Sequence, residues 1–266
     1  MKGFFKGSAT ALITPFNENG INFEALGELI EHQIAGGTSA IVFLGTTGEP
    51  STMTFEEEHI LMDYAVKKVA GRAKVIFGCG SNNTGDAVMT AKAAEKFGGD
   101  GLLAVTPYYN KCTQNGLVAY YKAICEAVSI PVIAYNVPGR TGVEILRLVR
   151  DKCDVYSGED ALNLPILACG GVGVISVLSN VVPADVAKLC DLVLAGKMEE
   201  AIALNDKLLP VANACFVEVN PIPVKEAMNL IGFDAGVPRA PLTKIEDVNR
   251  EKLIAAMQAY GLEVQV

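Results

Sequence analysis

The 266-residue sequence contains no tryptophan, only two histidines and no Cys-x-x-Cys pair among its seven cysteines. Zinc sites draw on closely spaced cysteine and histidine ligands, so we expect no metal site. Unpaired thiols are typical of the reducing cytosol. The sequence also lacks a secretory leader pattern and any run of 18 apolar residues. We therefore expect a cytoplasmic protein with no membrane partner.

Positive charge is scarce as well. The formal net charge is −8, and the lysines and arginines are scattered without a basic run. An acidic surface repels phosphate backbones, so we expect no nucleic-acid partner. No Gly-x-Gly-x-x-Gly motif opens a helix and no P-loop is present, which argues against a nucleotide ligand.

Short apolar runs alternate with longer amphipathic stretches along the chain. Within each run, apolar residues follow one another without polar residues in between. This pattern is typical of strands buried on both faces of a parallel sheet. Thr54 and Glu57 form a capping-box pattern that predicts the start of one connecting helix. The runs predict seven strands, at 8–16, 40–44, 75–78, 101–105, 131–135, 155–157 and 173–177.

These alternating units predict an α/β fold, a (β/α)8 TIM barrel with a small C-terminal helical domain. A closed barrel needs eight strands, and only seven are predicted. The shortfall lies between Val143 and Asp154, where one βα unit is missing and about ten residues join two strands, near the minimum for a crossover. We assign residues 1–182 to the barrel catalytic domain and 183–266 to the C-terminal helices, including the last barrel helix.

Three loops that follow predicted strands carry polar side chains. The first places Thr46 and Thr47 between glycines, the second contains Tyr108 and Tyr109, and the third presents Arg140 on a Pro/Gly turn. Hydroxyls, backbone N–H groups and a guanidinium are suited to carboxylates. Each loop also fits a structural role, as a helix cap, a cover of the core or a surface ion pair. Together they predict a rim for a small anionic substrate.

The segments GTTGEPSTMT, TPYYNK, YNVPGRTG, YSGED, GGVGVISVLSN and NPIPVKEAM resemble the dihydrodipicolinate synthase family, in order and over nearly the whole chain. The resemblance implies a class I aldolase on a TIM barrel, without metal or organic cofactor. Its substrates would be pyruvate and aspartate-4-semialdehyde, on the route to diaminopimelate and lysine. It also implies a homo-oligomer, a tetramer of tight dimers. Sister aldolases, such as N-acetylneuraminate lyase and 2-keto-3-deoxy acid aldolases, share the first loop loosely.

The resemblance also implies roles for individual residues. Tyr135 would be the general acid/base, and Thr46 would link it to Tyr109, which reaches in from a neighbouring subunit. Thr47 would hold the pyruvate carboxylate and Arg140 the semialdehyde carboxylate. The pyruvate site would also be lined by Gly158 and the carbonyl of Ile175.

Lysine would act as a feedback inhibitor at the dimer interface. Asn82 and Tyr108 agree with lysine-sensitive family members, whereas Phe55 replaces a residue that is polar in some of them. Plain interface packing is the alternative for this set. The matching positions are Ser51, Phe55, Glu58, Asn82, Asp86 and Tyr108.

The sequence departs from the family at the nucleophile. The family forms a Schiff base on a lysine of the sixth strand, in a Gly-Ile-Lys-Glu-Ala-like motif, and no such motif occurs here. Three explanations stay open: a longer natural chain, an internally deleted form, or a non-catalytic paralogue that binds a keto acid. Other lysines, at positions 111, 152, 188 and 225, fall in predicted loops or helices, where a desolvated amine is not expected.

Overall fold

The computed structural model describes residues 3–109, 112–135 and 153–265. Within this part of the chain, seven parallel strands form one sheet, as the apolar runs predicted. The strands are β1 (Gly7–Ala11), β2 (Ala40–Phe43), β3 (Lys74–Gly78), β4 (Gly101–Val105), β5 (Val132–Tyr135), β6 (Tyr156–Ser157) and β7 (Gly173–Ser176).

The strand order is β5-β4-β3-β2-β1-β7-β6. Strand β1 lies between β2 and β7, with Ala9 opposite both Ala40 and Ile175. Strands that neighbour each other in sequence also neighbour in space, except that β5 and β6 are the two edges of the described sheet. Closure of a barrel would place one further strand between these edges. This is where the sequence count predicted the missing unit.

The helices connect the strands and then continue as a C-terminal group. Helix α2 begins with the predicted capping box of Thr54 and Glu57. Helix α6 packs against β1 and α7, and α9 packs against α7 and α8. The helices are α1 (Phe23–Ala35), α2 (Phe55–Val69), α3 (Thr84–Lys96), α4 (Gln114–Ala127), α5 (Asn163–Ala168), α6 (Pro183–Leu194), α7 (Met198–Ala214), α8 (Ile222–Leu230) and α9 (Asp247–Tyr260).

Successive side chains of each strand enter different hydrophobic clusters because strand side chains alternate between faces. One cluster packs between the sheet and the helices and includes Ile41, Phe43 and Phe77. The smaller cluster contains Ala40 and Val42 from the same strand as Ile41 and Phe43. Tyr135, Tyr156 and Ile175 pack against this smaller cluster, which therefore forms the inner face of the sheet.

Two details differ from the sequence expectations. The first strand ends at Ala11, because Phe16–Asn17 instead pairs with Gly20–Ile21 in a short antiparallel hairpin. The apolar spacing predicts a last helix over 250–260, but helix α9 begins earlier, at Asp247, ahead of its first buried apolar residue, Leu253. The sequence also predicts at most one short helix over 144–153, and this segment lies outside the described residues, apart from Cys153. None of the described helices combines the length and apolar character needed to cross a membrane.

Candidate active site

The residues predicted to bind substrate lie at one end of the sheet. All seven strands are parallel, so their C-terminal ends meet at the same edge. Thr46 and Thr47 follow β2, Tyr135 ends β5, and Gly158 directly follows β6. Ile175 lies in β7 and shares the inner hydrophobic cluster with Tyr135. Arg140 lies outside the described residues.

The loop after β2 has an unusual backbone. Leu44 and Glu49, which flank it, both have positive φ, at 56° and 58°. Non-glycine residues rarely adopt this conformation, and such strain often marks a functional loop. Gly78 of β3 makes room for the loop, because a Cβ there would lie 2.0 Å from the carbonyl oxygen of Leu44. The loop therefore packs against the neighbouring strand β3 in a strained backbone conformation.

The two threonines of this loop differ in exposure. Thr46 is exposed, whereas Thr47 is buried, with only 3% of its surface exposed. The Nδ2 group of Asn220 donates a hydrogen bond to Oγ1 of Thr47, over 2.9 Å. Asn220 lies in the segment just before α8. Asn220 is the first residue of the family-like segment NPIPVKEAM, but the sequence alone predicts no role for it.

Glu49 attaches the other end of the loop to the same C-terminal segment. Its Oε1 accepts a hydrogen bond from Nζ of Lys225 over 2.8 Å, and its Oε2 accepts one from the backbone N–H of Arg239, also over 2.8 Å. Lys225 and Glu49 are both fully buried. Burial lowers the pKa of Lys225, while the hydrogen bond and charge of Glu49 oppose that change. No local pattern in the sequence indicates this pair.

Arg239 extends the network to α2. Its guanidinium binds both carboxylate oxygens of Glu57, over 2.6 and 3.0 Å, and lies 3.9 Å from the centre of the Phe16 ring. This hydrogen-bonded Arg239 lowers the pKa of Glu57. Because Glu57 belongs to the capping box of α2, the C-terminal segment holds both the loop after β2 and the helix that follows it.

Tyr135 lies against Gly158. A Cβ at position 158 would be 3.1 Å from Cε2 of the Tyr135 ring, so glycine allows the ring to approach the strand end. Burial raises the pKa of the Tyr135 phenol, and the charge of Glu159 acts in the same direction. The phenol therefore keeps its proton at neutral pH and can donate it to a bound group.

Asp160 fixes the loop that follows Ile175. One of its carboxylate oxygens accepts hydrogen bonds from the backbone N–H groups of Val177 and Leu178, each over 2.9 Å. The other accepts a hydrogen bond from Asn163 over 3.0 Å. Burial raises the pKa of Asp160, and these hydrogen bonds oppose that effect. The YSGED segment thus supplies both Gly158 and the anchor for the neighbouring strand end.

Tyr109 does not contact this site within one chain. Its residue is 96% exposed and its φ is +64°, a strained value for tyrosine. Tyr108 beside it is half exposed. Tyr108 and Tyr109 thus form an exposed pair of aromatic side chains on the loop that follows β4.

The described residues do not supply a nucleophilic lysine. Lys225 is the one buried lysine among them. Its Nζ is bonded to Glu49 and to the carbonyl oxygen of Val237, and it lies 4.6 Å from the centre of the Phe16 ring. These neighbours enclose the amine. Lys111 and Lys152 lie outside the described residues, and Lys188 is exposed to solvent on α6.

The predicted regulatory positions lie on the loops and helix starts beside the site. Ser51, Asn82 and Tyr108 are exposed, Asp86 lies in the first turn of α3, and Phe55 is about half exposed. Glu58, in the first turn of α2, is partly buried. Burial raises its pKa to about 7.

Glu58→Gln is expected to stabilise the protein above pH 7. A carboxyl group whose folded pKa is raised from 4.5 to about 7 holds its proton more tightly when folded. Ionisation then costs stability as the pH rises through this window. At 1.4 kcal/mol per pKa unit, reduced for partial exposure, the gain is about 1–2 kcal/mol at pH 8, and it disappears near pH 4. Urea unfolding at both pH values measures it.

The exposed neighbour Glu56→Gln is the control, because it removes one charge from the same helix turn. An equal gain in the two variants at pH 8, or a Glu58→Gln gain that persists at pH 4, would contradict the role of burial.

A cavity of about 330 Å³ lies elsewhere, between α8 and the segment that leads into α9. It contains none of the predicted site residues. Across the described ranges, no group of three or more His, Cys, Asp or Glu side chains is placed to hold a metal ion.

The sequence profile of the Dihydrodipicolinate synthetase family matches residues 4–147 and 143–260. The chain is also 46% identical over 291 aligned positions to the 4-hydroxy-tetrahydrodipicolinate synthase of Caldicellulosiruptor bescii, covering 98% of this chain and 99% of the relative. This chain belongs to the dihydrodipicolinate synthetase family. The family resemblance predicted from the motifs is thereby confirmed, together with the aldolase type of lyase that the family represents.

Solved structures of the family agree. The chloride-inhibited dihydrodipicolinate synthase from Acinetobacter baumannii, complexed with pyruvate, superposes with a TM-score of 0.93 at 36% identity, over 97% of this chain and 99% of that one. The synthase from Cyanidioschyzon merolae with lysine bound gives 0.90 at 35% identity, over 98% and 100%. The predicted TIM-barrel fold class with C-terminal helices is confirmed by these neighbours.

The comparisons also locate the departure from the family. The family profile matches in two parts that meet at 143–147. The alignment with the Caldicellulosiruptor relative has 291 positions and this chain has 266 residues, so at least 25 positions of the alignment have no residue here. One βα unit of a barrel has about 30 residues. Both observations agree with the loss of one unit between β5 and β6.

Proposed function

We propose that this protein functions as a 4-hydroxy-tetrahydrodipicolinate synthase, which condenses pyruvate with aspartate-4-semialdehyde on the route to diaminopimelate and lysine, when its natural chain includes the segment that carries the Schiff-base lysine. Turnover requires a Schiff-base lysine, which the missing βα unit would carry. The observation that carries the proposal is the placement of Thr47, Tyr135, Gly158 and Ile175 at one end of the parallel sheet. The near full-length family match supports it.

The mechanism follows from the groups at this end of the sheet. Thr47 donates a hydrogen bond to the pyruvate carboxylate, and Arg140 binds the carboxylate of the semialdehyde. The amine of the lysine that the missing unit would carry attacks the keto carbon of pyruvate, and water leaves as the imine forms. Tyr135 gives and receives the protons of these steps, which its protonated phenol allows. Thr46 relays protons between Tyr135 and Tyr109.

The active form is a homo-oligomer, with a dimer of dimers as the family resemblance implies. Tyr109 supports this assignment, since its ring can complete a site only in another chain when it is 96% exposed in its own. Lysine binds near Ser51, Asn82, Asp86 and Tyr108 as a feedback inhibitor. Pyruvate, aspartate-4-semialdehyde and lysine are thus the small-molecule partners, and the cytoplasm is the compartment.

Pyruvate binding tests the proposal directly. Calorimetry should detect pyruvate binding to the chain, and Thr47→Val should weaken it by about 10-fold or more, because a hydrogen bond to a charged group contributes about 1.5–3 kcal/mol. Ser129→Ala is the control, since Ser129 contacts Glu95 before β5, at the opposite end of the sheet. Absence of binding by the unmodified chain, or equal binding by Thr47→Val, would count against the proposal.

A non-catalytic oxo-acid-binding protein is the second candidate function. The enclosed position of Lys225, the one buried lysine in the described part of the chain, favours it. Pyruvate binding without turnover of aspartate-4-semialdehyde, both before and after the missing unit is restored, would support this alternative. Turnover of sialic acid or keto-deoxy acids instead would indicate a sister aldolase.

A further inference from the structure

We propose that Asn220 is a positioning residue of the pyruvate subsite, which orients the hydroxyl of Thr47 so that its proton points to the substrate carboxylate. The identity of the ligand rests on the proposed function. The role of Asn220 rests on the hydrogen bond between Nδ2 of Asn220 and Oγ1 of Thr47.

The direction of this hydrogen bond decides what Thr47 can do. A threonine hydroxyl has one proton to donate and two lone pairs that accept. Nδ2 of Asn220 can only donate, so Oγ1 of Thr47 accepts this bond and its own proton is left for another group. Within the described part of the chain, the hydrogen bonds of Thr47 include no acceptor for that proton. A bound carboxylate would supply one, and the donated bond would strengthen the hydroxyl as a donor.

Asn220 is itself held close to the loop. Five residues after it, Lys225 binds Glu49, so the segment from 220 to 225 contacts the loop at both Thr47 and Glu49. Two such attachments fix the orientation of the loop as well as its position. The Oδ1 atom of Asn220 is buried and has no hydrogen-bond partner among the described residues.

Pyruvate affinity in a double-mutant cycle tests the role. Asn220→Ala removes the donor, and we expect pyruvate binding to weaken by about 5- to 10-fold, close to the loss in Thr47→Val. If Asn220 acts through Thr47, the double variant binds no more weakly than Thr47→Val does. The inference would be overturned if the double variant lost affinity by the product of the two single losses, or if Asn220→Ala left the affinity unchanged. A merely structural role would not produce this lack of additivity.

Asn220→Asp provides a second test with almost the same side-chain shape. An ionised carboxylate accepts only, so Thr47 would donate its proton to the introduced carboxylate and lose it for the ligand. The new negative charge would also face the ligand carboxylate. We expect pyruvate affinity to fall by more than in Asn220→Ala. Equal or better binding by the Asn220→Asp variant would contradict the assigned direction of the hydrogen bond.

Amide hydrogen exchange separates failure of the inference from failure of the proposed function, because it needs no ligand. Asn220→Ala should speed the exchange of loop residues 45–49 by about 10-fold. Asn249→Ala is the matched control, since its amide donates over the same 2.9 Å to Glu218 and does not touch the loop. If the unmodified chain binds no pyruvate, the proposed function fails, and unchanged loop exchange in Asn220→Ala still overturns the positioning role.

Discussion

Incubation of the 266-residue chain with pyruvate and borohydride is expected to leave its mass unchanged. A class I aldolase forms an imine between pyruvate and a lysine amine, and borohydride reduces that imine to a stable adduct. The amine must be partly neutral and must open onto the substrate site. No lysine in the described part of the chain meets both conditions. The effect is close to all-or-none, because the nucleophile itself is missing.

Among the lysines that the structure describes, Lys225 is the one that could contradict this expectation. It is buried, and burial lowers the pKa of its amine, as in a Schiff-base lysine. However, its proton donors are already directed to Glu49 and to the carbonyl of Val237. An attack on pyruvate would require this network to open. The geometry therefore predicts a structural lysine.

Restoring the missing unit supplies the positive arm of the experiment. A chimera would carry, between β5 and β6, the corresponding segment of the Caldicellulosiruptor bescii synthase. It should gain one reduced pyruvate adduct per chain, on a lysine of the insert, as mapped by peptide mass spectrometry. The same chimera with that lysine replaced by alanine is the control. A stable adduct on the unmodified chain would refute the prediction and identify a substitute nucleophile.

The fold was predictable because most of its signals are local. Unbroken apolar runs mark strands buried on both faces, and the capping box of Thr54 and Glu57 marks the start of α2. The errors lie where the local signal is weak. The hairpin of Phe16–Asn17 and Gly20–Ile21 has only two residues per strand, too few for an alternating pattern. Helix α9 begins with polar residues, which carry no apolar period.

The candidate site was predictable only in part. Strand-end position and the family resemblance suffice to name Thr47, Tyr135 and Gly158. They do not reveal the contacts of Asn220 and Lys225, which lie 173 and 176 residues from Thr47 and Glu49, the loop residues that they bind. The sequence around each of these two residues has no pattern that would show whether its polar side chain is buried or exposed. The family motif NPIPVKEAM contains both, and that motif is the one available signal.

Lys225→Met is expected to lower the free energy of unfolding by about 3–5 kcal/mol, because it leaves the carboxylate of Glu49 buried without its cation. Among the described residues, the backbone N–H of Arg239 would be the remaining donor to that carboxylate. Methionine fills a volume similar to that of the lysine side chain. The loss of stability would therefore come from the missing charge and not from a cavity. Urea unfolding measures the effect. Pyruvate affinity should fall as well, since Glu49 holds the loop that carries Thr47.

The comparison with a surface ion pair shows why burial decides the size of this effect. Lys67 and Asp63 are 2.6 Å apart, closer than the 2.8 Å between Lys225 and Glu49, but their side chains are 73% and 47% exposed, against 0% and 1%. Lys67→Met is therefore expected to cost no more than about 1 kcal/mol. The double variant Lys225→Met with Glu49→Gln should recover part of the loss, because no buried charge is then unpaired. A loss below about 1 kcal/mol in Lys225→Met, or no recovery in the double variant, would mean that the pair is not what holds the loop to the C-terminal segment.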